Sequence, residues 1–244
     1  YLDCLKYARE NGCQWNSDTC RFAASSGHLD CLEYAHTHGC PWNSQTRWVA
    51  AKNGHLDCLE YAHTHGCPRD FWICCSAAAN GNLACLKYLH ENGCVWDSRI
   101  CQIAARNGHL DCLKYAYENR CPWDEYVCNG AAANGHLNCL KYAKENGCSW
   151  NSWTCSNAAF NGHLDCLKYA RENGCPWDLE TCWDAAINGH LNCLRYAYEN
   201  GCPIPKYWND VDSSCLEYVE FIKRKEIKKV MRPLRRLSKR MRKN

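Results

Sequence analysis

Apolar and small residues return along this chain at one fixed interval. The run Leu164-Asp165-Cys166-Leu167-Lys168-Tyr169-Ala170 spreads its apolar positions over more than half of a helical circumference, so a helix here needs cover on two sides. Its cysteine belongs to a column, Cys4, Cys31, Cys58, Cys85, Cys112, Cys139, Cys166 and Cys193, in which every interval is 27 residues. That is an internal repeat without a slip. Seven full units fit between Asn16 and Ile204, after a partial unit over residues 1–15 and before an irregular one.

A second, shorter helix precedes the first in each unit, as over Asp97 to Arg106, where Ala104-Ala105 permit close helix approach. Asp97 or Ser98 suits its N-cap, accepting an otherwise unpaired backbone N–H. Asn107-Gly108 ends it, because glycine enters the left-handed conformation without a Cβ penalty, and Asn173-Gly174 closes the longer helix likewise. Asp165 stands in the longer helix's first turn, where the helix dipole favours an acid. The unit is helix, tight turn, helix, short loop. One such pair cannot bury its own apolar faces, so pairs must stack. The expected fold is all-α: an elongated solenoid of helix-turn-helix repeats over residues 1–222, with a basic helical tail over residues 223–244.

The motif Gly108-His109-Leu110-Asp111-Cys112-Leu113-Lys114-Tyr115-Ala116, with Ala104-Ala105 before it and a closing glycine and Pro-Trp-Asp after it, resembles the ankyrin repeat. The resemblance recurs in register over roughly residues 1–204, and this short cysteine- and tryptophan-rich version is similar to arrays of large DNA viruses and protists. It implies protein binding through the concave helix face. An ordinary ankyrin unit has about 33 residues, six more than this one, and the missing segment corresponds to the β-hairpin finger. Trp42, Trp96, Trp123, Trp150 and Trp177 take its place at the inter-unit loop, each expected to wedge between successive units.

Twenty-four cysteines would mark a disulfide scaffold in a small secreted chain. The period argues otherwise, because equivalent cysteines in adjacent units lie about 10 Å apart, the spacing of packed helices, and a disulfide needs Cα atoms within ~7 Å. Cys166 and Cys175 are also too distant; Cys148 with Cys155 stays open. The expectation is a reduced core of small apolar thiols in a cytoplasmic, nuclear or virion-associated setting. Zinc is the sharper alternative, since His163 and Cys166 share a helix face. A structural zinc needs four converging ligands, whereas the thiols come singly, Cys74 and Cys75 point to different faces, and Arg47 and Asn82 interrupt the cysteine and histidine columns. The residues therefore read as scaffold, with no metal and no cofactor, and the family's Gly-His step implies that His163 satisfies backbone groups at the helix turn.

If fixed columns build the scaffold, variable ones are available for recognition. The columns of Asp18, Arg21 or Phe22, and Ser25 share one face of the first helix. Down the chain they mix aromatic and arginine residues, the types enriched in interface hot spots. The expected partner-binding residues are Arg21, Trp48, Trp72, Arg99, Arg106, Tyr126, Trp153, Phe160 and Trp183, the competing reading being that some of these tryptophans fold over neighbouring units as packing.

Residues 223–244 hold 12 Lys or Arg and one acid, a local charge of +11; taken from +3 for the whole chain, that leaves −8 on residues 1–222. Lys223, Arg224, Lys225, Lys228, Lys229, Arg232, Arg235, Arg236, Lys239 and Arg240 could bind nucleic-acid phosphates, an anionic membrane or an acidic protein surface, serve as a nuclear address, or form a solvated tail. Ile227, Val230, Met231, Leu234, Leu237 and Met241 mark a helical stripe, and Pro233 is expected to kink or restart the helix. No apolar run of about 18 residues is present, so no membrane-spanning segment is expected. The chain begins inside a repeat, at Tyr1-Leu2-Asp3-Cys4, which points to a preceding segment and leaves a signal peptide open.

Copies at equivalent positions do not make the unique convergent constellation that catalysis requires. The reading is a non-catalytic protein-interaction scaffold with the tail as a second anchor. The alternatives are a structural component of a large assembly, such as a virion or ribonucleoprotein, and a ubiquitin-ligase adaptor, for which no F-box-like segment follows the repeats.

Overall fold

The computed structural model describes residues 1–70 and 72–241, and within the last helix it describes side chains through Lys229 and at Met231. Helix α1 (Leu2–Glu10) is followed by seven pairs: α2 (Ser17–Ser25) and α3 (Leu29–Thr37), α4 (Ser44–Asn53) and α5 (Leu56–Thr64), α6 (Ile73–Ala79) and α7 (Leu83–Glu91), α8 (Ser98–Arg106) and α9 (Leu110–Glu118), α10 (Glu125–Ala133) and α11 (Leu137–Glu145), α12 (Ser152–Phe160) and α13 (Leu164–Glu172), α14 (Leu179–Ile187) and α15 (Leu191–Glu199). Helix α16 (Leu216–Met241) completes the chain, and no strand occurs among the described residues. Nor is any described helix long and apolar enough to cross a membrane.

The contacts fall into two units, residues 1–131 with 138–148, and residues 132–137 with 149–244. In the first, α2, α4 and α6 each pack on their own second helix and on the next first helix, as α4 does on α5 and α6, and α8 packs on α9. The second unit repeats the scheme with α12, α13, α14 and α15. Both are stacks of helical hairpins.

Local chemistry sets the helix ends. Asn16, Asn43, Asp97, Asn151 and Asp178 are N-caps whose side chains accept the backbone N–H two residues on, each worth about 1 kcal/mol. Gly39, Gly93 and Gly174 end second helices at φ of 81°, 80° and 85°. Arg120 holds the same position at φ 62°, where a Cβ is strained.

The fixed columns are the core. Leu32, Leu59, Leu86, Leu113, Leu140, Leu167 and Leu194 are fully buried, each stabilising the fold by about 2 kcal/mol. Beside them the thiols of Cys58, Cys85, Cys112, Cys139, Cys166 and Cys193 are pushed up to about 11 by burial. They remain neutral and behave as small apolar groups.

The tryptophan column joins successive hairpins as expected. Trp42 stacks on His36 of α3 at 3.7 Å and meets Tyr61 of α5 edge-on at 6.1 Å. Trp96 and Trp123 repeat this with His90 and Tyr115, and with Tyr117 and Tyr142. The histidine column also acts between hairpins: His55 Nε2–H donates to Ser25 O at 3.1 Å and His109 Nε2–H to Ala79 O at 2.9 Å. Asn82, which interrupts that column, does the same work with its amide, donating to Ala51 O and Lys52 O. His163 packs against Gly135, its Nδ1 2.6 Å from where a Cβ would stand.

Two expectations are corrected. Cys74 and Cys94 form a disulfide, so not every thiol is reduced. The pair joins the cysteine column of the first helices to the column just after the second helices, 20 residues apart within one repeat. Neither the comparison of equivalent thiols nor that of thiols nine apart tests this spacing. Cys148 and Cys155 are not bridged; Cys148 Sγ donates to Asp124 O at 3.1 Å. Second, α16 continues across Pro233 without a restart, although proline removes one backbone hydrogen bond there.

Candidate partner-binding face

Residues 20, 23 and 24 of α2, and their equivalents in the later first helices, point inward; the column of Asp18 faces outward, while that of Arg21 is half-buried and is buried at Asn129 and Ser156. In the first unit Trp72 and Tyr126 are 50% and 60% exposed. Arg106 is exposed, while Arg21, Trp48 and Arg99 are half-buried. Trp48 and Trp72 line one cavity of about 480 Å³ with Gln45, Cys75, Ser76 and Ile103. Trp48 Nε1–H donates to Ser76 Oγ at 2.6 Å, and Lys52 Nζ lies 4.9 Å from the indole. This tryptophan is therefore partly packing, held against the next first helix.

The Arg99 guanidinium sits 4.5 Å from the centre of the Trp72 ring and bonds Asp97 at 2.6 Å. That hydrogen-bonded ion pair holds the Asp97 carboxyl below the usual carboxylate range. Arg21 bonds Asp18 at 2.9 Å and lies 4.3 Å from the Phe22 ring. Arg21 is thus held by Asp18 and Phe22 of its own helix, and Arg99 by its N-cap residue Asp97 and by Trp72 of the preceding repeat, both ready for contact without further ordering.

In the second unit Trp153 is 62% exposed and Phe160, two turns further along α12, is also exposed, whereas Trp183 is half-buried. The structure thus presents Trp72, Arg106, Tyr126, Trp153 and Phe160 on the surface and tucks Trp48 and Trp183 partly away. Sequence reasoning did not include Ser76, whose Oγ accepts the Trp48 N–H hydrogen bond, or Ile103. The signal for Ser76 was its distance of 28 residues from Trp48, one repeat and one position.

The basic segment starts from a fixed base. Val219 and Ile222 are buried, and Tyr198 O–H donates to Glu226 Oε1 at 2.9 Å. Lys229 bonds Glu226 at 2.6 Å and Lys223 bonds Glu220 at 2.8 Å. The Lys229 ammonium, with help from Tyr198, holds the Glu226 carboxyl below the usual range. Lys225 lies 5.3 Å from the Tyr198 ring, and Arg224 and Lys228 are exposed. The side chains of Arg232, Arg235, Arg236, Lys239 and Arg240 lie outside the described residues. No group of three or more metal-ligating side chains converges among the described residues.

Comparison with known proteins agrees with this architecture. Residues 74–117 match the family model of ankyrin repeats (many copies). The human ASB11 ankyrin repeat domain has a similar crystal structure, at 18% sequence identity over 64% of this chain and 84% of that one, with a TM-score of 0.56. At that identity the likeness speaks for fold. A search of curated proteins finds no match. Residues 74–117 are thus similar to ankyrin repeats, and the chain shares the fold of an ankyrin-repeat solenoid.

Proposed function

We propose that this scaffold is non-catalytic and binds a partner protein through the outward face of its first helices, with the basic part of α16 as a second anchor. The observation that carries the reading is the exposure of Trp72, Tyr126 and Trp153 on first helices whose opposite faces are fully packed. Large aromatic side chains left in water at the variable positions of a repeat are poor stabilisers and good anchors, each commonly worth 2 kcal/mol or more in an interface. The test is quantitative capture of partners by the wild-type chain and by Trp72→Ala/Tyr126→Ala/Trp153→Ala. A partner retained by the first and lost by the second supports the reading; identical capture sinks it.

A second reading, a component of a large assembly held by the tail, is favoured by the exposed Arg224, Lys225 and Lys228 on a helix whose base is pinned by Tyr198 and Glu226. Attachment through these cations to nucleic acid falls steeply with salt. Release that ignores salt between 50 and 500 mM, roughly the range over which such contacts weaken, argues against it.

A further inference from the structure

Two arginines break two of the fixed columns within one repeat, and both face the same cavity. Arg47 stands where the other units have Cys20, Cys74, Cys101, Cys128, Cys155 and Cys182, and Arg69 stands where they have Trp15, Trp42, Trp96, Trp123, Trp150 and Trp177. The cavity, of about 410 Å³, is lined by these two arginines with Ile73, Leu89, Cys94 and Val95 among its other walls. Volumes of this size hold small organic ligands.

Arg47 is only 4% exposed, and its Nε is buried without a hydrogen-bond partner. Its one bond is long, from Nη1 to Cys67 O at 3.4 Å. Neither arginine forms an ion pair among the described residues. The acid on the wall, Asp70, accepts Trp72 N–H through Oδ1 at 2.7 Å and makes no ion pair with either arginine. Burial first, then the charge of Arg69, pushes the Arg47 guanidinium down from its usual range. The same two cations, after burial, push His63 down. A buried guanidinium without a counter-charge is strongly unfavourable, whereas a planar carboxylate or phosphate satisfies Nε–H and an adjacent Nη–H together.

We propose that Arg47 and Arg69 form a binding site for a small organic anion, a carboxylate or phosphate borne on an apolar body. The oxyanion bonds the Arg47 fork and is drawn in by Arg69. The apolar body lies on Ile73, Leu89 and Val95. No other repeat can do this, because only this one carries cations in both columns. Neither Trp72, Tyr126 nor Trp153 lines this cavity, and the site does not rest on the partner-binding reading.

Calorimetry on the full chain tests it with octanoate, 1-octanol and inorganic phosphate as probes. Octanoate should bind one per chain and raise the melting temperature, and 1-octanol should bind at least tenfold more weakly. Arg47→Cys, which restores the residue of the other repeats, and Arg47→Met, which keeps the volume without the charge, should each weaken octanoate at least tenfold. At least one should melt higher than wild type without ligand. Arg69→Trp should weaken it severalfold. Inorganic phosphate should bind more weakly than octanoate, and phosphate binding that matches it would overturn the apolar half of the site. Absence of binding by both anions, equal binding of octanoate and octanol, or undiminished affinity in whichever Arg47 variant folds would overturn the proposal.

Discussion

The imidazole of His55 occupies the space that a Cβ on Gly27 would need, with Nδ1 2.5 Å from that point while Nε2–H reaches Ser25 O. The contact spans one repeat and one residue, and it locks the α4–α5 hairpin to the α2–α3 hairpin. Gly27 also has φ 71°. Gly39, by contrast, has φ 81° with nothing within 4 Å of its added Cβ. Gly39→Ala should therefore lose about 1 kcal/mol from backbone strain alone, and Gly27→Ala about 2–4 kcal/mol because the clash adds to the strain. Urea denaturation of the two variants checks the difference; equal losses would remove the steric role of His55.

Arg120 is the reverse case. It holds a left-handed position that glycine holds in the other repeats, and its backbone N–H still donates to Tyr117 O at 2.9 Å. Arg120→Gly should keep that bond, relieve the Cβ strain and stabilise the chain by about 1 kcal/mol. A rise in the urea midpoint is the expected outcome.

Asp184 on α14 gives a pH dependence. Burial, with the charges of Glu180 and Asp178 adding, raises its carboxyl from 3.8 to about 6. The fold thus prefers the protonated form: this preference contributes fully below pH 3.8 and is lost as pH rises through 6. At pH 7.5 Asp184→Asn should stabilise by about 1–2 kcal/mol, less than the full linkage value because the carboxyl keeps a solvated edge. The gain should vanish in melts run near pH 3.5, about where the unfolded chain titrates.

The disulfide is checked by peptide mapping without reductant, which should recover Cys74 linked to Cys94. Closing a loop of about 20 residues stabilises by about 3 kcal/mol, so Cys94→Ser should lower the melting temperature. The equivalent Cys121, which donates its thiol to Asp97 O at 3.1 Å, should be replaceable by serine at smaller loss.

Why some of this was legible in the sequence and some was not follows from range. The period, the Asp97 cap and the glycine stops depend on neighbours within a turn or on exact repetition, and one chain displays both. The wedge of Trp42 between His36 and Tyr61 was legible as well, because a fixed aromatic column at an inter-hairpin loop has one place to go. The Cys74–Cys94 bridge was not, since the same 20-residue spacing recurs in five other repeats without bridging. Arg47 was visible as a break in a column, but only the fold brings it and Arg69 to one cavity. The half-burial of Trp48 depends on Ser76 in the next repeat, a contact that residue type alone does not announce.

The division between packed columns and a free recognition face is tested most directly by the urea midpoint of Trp72→Ala/Tyr126→Ala/Trp153→Ala. With all three side chains at least half exposed, removal should leave the midpoint within about 0.5 kcal/mol per site of wild type. A loss of more than about 2 kcal/mol at each site, the cost of emptying a core position, would place these aromatics inside the fold and contradict the account.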